Sequence, residues 1–342
     1  MSSPRLRFCS LLFGGAVLLA ACGDDDSSAD DDAAAVDAVE VPSGEWTYVD
    51  GSGTETTLDE APTRIVAHGS AAAALISFGI RPVGIYADMD VDTDLALRDV
   101  DLDGIEIVGE EWGVINVEAV AALEPDLIVA EWWPVEEAYS GMEEGAGTTS
   151  EVMTAIAPVV GVAQGPSIVD MIEDYEELAE SLGADLDDPA VAEAREGFDA
   201  AVADFEAAVE AKPDLSVLAV SPTPESLYVA VPEFAAELAD FTDWGLDLVV
   251  PDNPDEGFEY WETLSWENAD RYQADLLIVD ERGYPANLED AEEQPTWQAL
   301  AAAEAEAIAV WPAYWVRTYD DYAGALDQLT ASIAEADEDL VR

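Results

Sequence analysis

The sequence predicts an α/β protein whose strands are covered by helices on both faces, and three observations carry that prediction. Short, continuous apolar runs alternate with helical stretches over most of the chain, as they do in parallel sheets buried on both sides. This alternation is interrupted once, from Ile168 to Lys212, by two helical stretches with no strand between them. The segments on either side of the interruption also echo each other.

In chain order, Trp46–Val49 and Thr54–Leu58 alternate around the Asp50-Gly51 turn and read as a β-hairpin. Ile65–Ala67, Arg81–Tyr86, Ile105–Val108 and Asp126–Ala130 read as strands. Ala71–Phe78, stopped by Gly79, and Val117–Leu123 read as helices. Ile168–Leu182 and Pro189–Ala211 form the helical interruption. On the second of these, Phe198, Val202, Phe205 and Val209 recur every three to four residues and mark one apolar stripe on an acidic helix. Beyond Pro213, strands are expected at Val217–Val220, Leu227–Val231, Leu248–Val250 and Leu276–Asp280. Helices are expected at Phe234–Phe241, Trp266–Tyr272, Thr296–Ala303 and Asp320–Glu335. The internal echo pairs Asn116–Ala130 with Ser265–Val279. In each, a glutamate (Glu118, Glu267) begins a helix, and an aspartate eight residues later (Asp126, Asp275) opens an apolar strand.

The amino terminus reads as an address. Arg5 and Arg7 precede an apolar stretch from Phe8 to Leu19, and then Leu-Ala-Ala-Cys ends at Cys22. The apolar stretch is too short for a mature membrane span, which needs about 20 residues. The pattern resembles a bacterial lipoprotein signal over residues 1–21. That resemblance implies lipidation of Cys22 and a place on the extracytoplasmic face of the cell membrane. Residues 22–44, rich in Asp, Ser and Ala, read as an acidic flexible tether. Of the 2 cysteines, Cys9 lies in the removed segment, so no internal disulfide is expected.

The composition excludes several partners. With 77 acidic and 11 basic residues and a formal net charge of −66, the surface repels nucleic acid and anionic lipid headgroups. A hydrophobic content of 50%, with 10 Trp and 11 Tyr, argues for a packed globule rather than disorder. Such self-repulsion is tolerable where salt screens it, which fits a saline habitat. Motifs of catalysis are missing: there is no G-x-S-x-G, no H-E-x-x-H and no phosphate-binding glycine loop, and a single histidine lacks matched triad partners. A surface hydrolase is therefore a distant alternative, and no catalytic residue, cofactor or protein-bound metal is expected.

Five segments in order carry a family resemblance. They are Tyr48–Ala67, Phe78–Ala87, Asn116–Ala130, Leu264–Asp280, and Pro295–Leu300 with the terminal helix. Together they resemble the class III solute-binding proteins of ABC importers, which carry iron-siderophore complexes, haem or cobalamin. The resemblance implies two Rossmann-like lobes with central sheets flanked by helices, at 45–167 and 213–342. A helical segment, 168–212, contains a single long interdomain helix, expected at Pro189–Ala211. It implies capture of a ferric siderophore in the interlobe cleft and delivery to an ABC permease and its ATPase, with haem or cobalamin as the alternative cargo and a monomer as the working state. By the same resemblance Glu118 and Glu267 would dock into arginine pockets of the permease.

Ligands of parallel sheets sit beyond the carboxyl ends of strands, which points to the loops after each predicted strand. Aromatic faces and guanidinium groups there suit flat, anionic chelates such as catecholates. The candidate ligand-binding residues are therefore His68, Tyr86, Trp132, Trp133, Tyr228, Trp261, Arg282, Trp315, Arg317 and Tyr319. Arg282 and Arg317 are expected to neutralise the ligand. The lone His68 either completes iron coordination or is hydrogen-bonded within its turn.

Overall fold

A computed structural model describes residues 44–341. The signal segment, Cys22 and nearly all of the tether lie outside the described residues.

Hairpin β1 (Trp46–Val49) and β2 (Glu55–Leu58) is antiparallel, with Trp46 opposite Leu58. The first sheet follows: β3 (Ile65–His68), helix α1 (Gly69–Ser77), β4 (Gly84–Ala87), β5 (Glu106–Glu110), α2 (Val117–Ala122), β6 (Leu127–Trp133), the short β7 (Ala138–Tyr139), α3 (Ser150–Thr154) and β8 (Val159–Ala163). Strands run in the order β5-β4-β3-β6, all parallel. β8 pairs parallel with β6, and β7 turns back antiparallel on its end.

Two helices come next, α4 (Ile168–Ser181) and α5 (Pro189–Glu210). Local chemistry sets both starts. Ser167 accepts a hydrogen bond from the Asp170 amide, and Asp188 accepts one from Ala190 with Pro189 in the first turn, where its missing N–H costs nothing.

The second sheet comprises β9 (Ser216–Pro222), β10 (Ser226–Ala230), β11 (Asp247–Leu248), β12 (Trp261–Ser265), β13 (Leu276–Asp280) and β14 (Ile308–Trp311). Its order is β12-β10-β9-β13-β14, with β11 beside β9. Helices α6 (Ala236–Asp243), α7 (Ala286–Glu292), α8 (Ala301–Glu304) and α9 (Tyr319–Glu335) complete the chain.

The internal echo has a structural meaning. Asp126 accepts hydrogen bonds from the Thr63 and Arg64 amides, while its own amide donates to the Arg64 carbonyl. Asp275 does the same in the second sheet, accepting from the Ser216 amide at 3.0 Å while its amide donates to the Ser216 carbonyl. In each lobe this aspartate ties the start of one central strand (β6, β13) to the start of its parallel neighbour (β3, β9).

Three expectations need correction. The second sheet is mixed, because β10 runs antiparallel to β9 and β12 antiparallel to β10. The tight Thr223–Glu225 connection can only reverse the chain, since a parallel return needs a crossover of a dozen or more residues. Trp266–Arg271 forms a 3₁₀ segment rather than an α-helix. Trp261, expected in a loop, opens strand β12. Between the lobes, α4 lies on α1 and β8 of the first and on α6 of the second, and the longer α5 runs along α9. Phe198 and Phe205 of α5 pack there against Tyr322, Phe241 and Trp244.

Candidate functional site

The carboxyl ends of β3, β4 and β6 in one lobe face the carboxyl ends of β13 and β14 in the other, across a cleft of about 600 Å³. Strand ends recur here because a parallel sheet sends every helix connection out of the same edge. A concavity of about 640 Å³ along β14 and α9 is slightly larger, but it is walled by the second lobe alone and contains none of the candidate residues.

Five of the ten candidates line the cleft: His68, Trp133, Trp261, Arg282 and Trp315. His68 ends β3 and precedes α1. Its Nε2 lies 3.2 Å from Asp88 Oδ2, and Nδ1 has no hydrogen-bond partner. Burial lowers the His68 pKa, but the hydrogen bond and charge of Asp88, helped by Glu131 and Asp94, outweigh it and raise the pKa above the ordinary value. Asp88 shows the reciprocal effect: burial raises its pKa, and the His68 contact brings it below the usual carboxylate value. Trp133 is fixed by donating its indole N–H to Ser140 Oγ at 2.9 Å. Trp315 donates to Glu281 Oε2 at 3.2 Å, and the Arg98 guanidinium lies 4.6 Å from its ring centroid. Arg98 also bridges the lobes through Glu281, at 2.9 Å. Arg282 grips Asp280 with two bonds, Nε at 3.0 Å and Nη2 at 2.6 Å, and lies over the Tyr314 ring at 5.0 Å.

The other five do not line it, and each has a physical reason. On β6 successive side chains point to opposite faces, so Trp133 turns into the cleft and Trp132 away from it, onto the Tyr139 ring at 5.0 Å. Tyr86 is fully buried on the other face of the first sheet and donates to the Ser140 carbonyl. Tyr228 packs behind Trp261 at 6.0 Å. Tyr319 begins α9, donates to Glu176 at 3.2 Å, and borders a separate hollow with Arg195. Arg317 is the clearest correction. It is 1% exposed and pairs with Glu131 of β6 through Nε, and its remaining N–H groups reach the Val316 and Tyr314 carbonyls. It is an internal tie between the lobes and not a surface for ligand. Of the candidates Trp132, Trp315 and Arg317, Trp315 alone faces the cavity.

Sequence reasoning passed over Tyr314 and the carboxylates. Tyr314 lines the second-lobe wall with a positive φ of 65°. That backbone is held by a buried acceptor, as Glu237 Oε1 takes the Tyr314 amide at 2.7 Å. Burial pushes the Glu237 pKa up to about 7, against the pull of Arg317. Asp88, Asp94, Glu131, Glu136, Glu143 and Glu281 all line the cleft. Several stood at predicted strand ends, but in so acidic a chain carboxylates carry no compositional signal. Among the described residues, no group of three or more His, Cys, Asp or Glu side chains is placed to hold a metal ion. Glu118 and Glu267 are both exposed, each in the first turn of its helical segment.

Two α/β lobes closing on an aromatic-walled cleft, with helices rather than a flexible hinge between them, define a binding protein that receives a small solute between its halves. The chain belongs to the periplasmic binding protein family, whose sequence profile matches residues 106–315. It is similar to the crystal structure of DesE, a ferric-siderophore receptor protein from Streptomyces coelicolor. The identity is 31% and the TM-score 0.77, over 86% of this chain and 99% of that one. The fold is shared with Staphylococcus aureus FhuD2, solved with bound ferrioxamine B (18% identity, TM-score 0.57, 80% and 98% covered). It is shared too with the catecholate-siderophore binding protein VctP of Vibrio cholerae (19%, 0.58, 84% and 99%). None of the curated protein sequences matches the chain.

Proposed function

We propose that this protein captures a ferric siderophore in its interlobe cleft outside the cytoplasm and hands it to an ABC importer. The observation that carries the reading is the cleft itself. Trp133 from one lobe and Trp261, Tyr314 and Trp315 from the other wall a space of about 600 Å³, large enough for a chelate of several hundred daltons. The likeness to the S. coelicolor ferric-siderophore receptor along nearly its whole length supports the same cargo class.

Closure is small in this reading. Arg317–Glu131 and Arg98–Glu281 already connect the lobes, and α4 packs on both. The indole and phenol rings supply apolar contact to the ligand shell, while iron keeps its chelator's donors. Lipidation at Cys22 would keep the loaded protein at the membrane. The exposed Glu118 and Glu267 would then meet arginines of the permease, charge-assisted pairs that need no ligand contact.

Equilibrium titration with ferric hydroxamate, ferric catecholate, haem and cobalamin tests the reading. Saturable binding of a ferric chelate, with quenching of tryptophan fluorescence, is the expected result. Binding of haem or cobalamin alone would replace it with another cargo.

A further inference from the structure

The arginines around the cleft are all committed. Arg282 is held in two bonds by Asp280, Arg98 by Glu281 and Arg317 by Glu131, while His68 Nε2 shares a hydrogen bond with Asp88. Those pairings leave Asp94, Glu136 and Glu143 on the cavity wall without an ion-pair partner among the described residues. Polar atoms of the same wall also lack partners. His68, only 5% exposed, leaves Nδ1 unbonded, an acceptor in the tautomer whose Nε2–H donates to Asp88, and Asp88 Oδ1 and Glu143 Oε2 are buried acceptors without a donor. Buried acceptors of this kind cost stability until a donor arrives.

The facing wall is aromatic. Tyr260 and Tyr314 stand edge to face at 6.4 Å and 85°, with Phe258 6.4 Å from Tyr260 and Trp261 6.4 Å from Tyr314. Glu136 of the first lobe comes near enough to Tyr260 for its charge to raise the phenol's pKa, second to burial. Carboxylates on one side and ring faces on the other form an environment suited to an ammonium group.

We infer that the cleft selects its cargo by charge, taking ferric chelates whose outward groups are cationic and rejecting polyanionic ones. This rests on the siderophore reading above and deepens it. It also reverses the sequence-based expectation, in which free arginines would have welcomed an anionic catecholate.

The test uses the full chain and one iron core with three tails: a ferric trihydroxamate bearing a free terminal amine, its N-acetylated form and its N-succinylated form. Affinity should fall in that order, by about tenfold per unit of tail charge. The order should survive in 1 M salt, where the Debye length is about 3 Å and the field of the distant surface is screened away. It should be compressed in the Glu136→Gln/Glu143→Gln variant. Equal or tighter binding of the succinylated form overturns the inference. So does an order that disappears in 1 M salt or is unchanged in the variant, since the preference would then belong to the whole surface. Tight binding of a ferric tricatecholate with weak binding of all three hydroxamates overturns the charge rule and leaves ferric-chelate capture standing. Failure of every ferric chelate to bind overturns both.

Discussion

Replacing Arg317 with Met separates a structural tie from a ligand contact. The side chain is wholly buried, its partner Glu131 is 3% exposed, and they come from opposite lobes. Removing the guanidinium leaves a carboxylate in the interior without its counter-charge, and frees the Val316 and Tyr314 carbonyls it also satisfied. Breaking such a pair from one side costs about 3–5 kcal/mol. In a chain of this size 1 kcal/mol moves Tm by about 2 °C, so calorimetry should record a fall of about 6–10 °C. Removing both charges, in Arg317→Met/Glu131→Leu, should recover at least about half of that loss, because the penalty lies in the orphaned charge more than in the pair. Ligand affinity of the folded single variant should change far less than its stability. A Tm within about 2 °C of the parent, together with loss of chelate binding, would refute the assignment and return Arg317 to the binding surface.

Three further outcomes follow from the geometry. Glu237 carries a folded-state pKa of about 7 against an ordinary 4.5, so the folded state holds this proton more tightly than the unfolded chain. The associated stability is therefore full below pH 4.5 and is lost as pH rises through 7, by about 3 kcal/mol in all; Tm measured against pH should show this slope, and Glu237→Gln should flatten it. Trp315→Ala or Trp133→Ala should weaken ferric-chelate affinity by about 30-fold, as expected for an aromatic anchor worth about 2 kcal/mol, and unchanged titrations would remove these rings from the site. Glu118→Lys and Glu267→Lys should abolish iron uptake in cells while leaving affinity for the chelate intact; lost affinity would place these residues in the cleft instead.

Much of the architecture could be read from periodicity. Apolar runs such as Leu276–Asp280 are buried throughout and form central strands, and the capped starts of α4 and α5 fall where Ser167 and Asp188-Pro189 put them. The echo of Asp126 and Asp275 marked equivalent strand starts before their shared hydrogen bonding was visible. What escaped the sequence was orientation and partnership. Trp132 and Trp133 are adjacent and look equivalent, yet the two-residue period of β6 sends only one into the cleft. Treating Glu131-Trp132-Trp133 as strand rather than loop would have separated them. Arg317 looked available because arginine is scarce here, and its partner Glu131 lies 186 residues away in the other lobe. Short elements such as β7, β14 and the 3₁₀ turns are set by tertiary pairing and leave little local trace.

The most direct measurement is iron anomalous scattering from crystals of the protein saturated with a ferric trihydroxamate. The account predicts one iron peak in the interlobe cleft, ringed by Trp133, Trp261, Tyr314 and Trp315, with Arg317 still buried against Glu131. A peak in the hollow along β14, or none at saturating chelate, would contradict it.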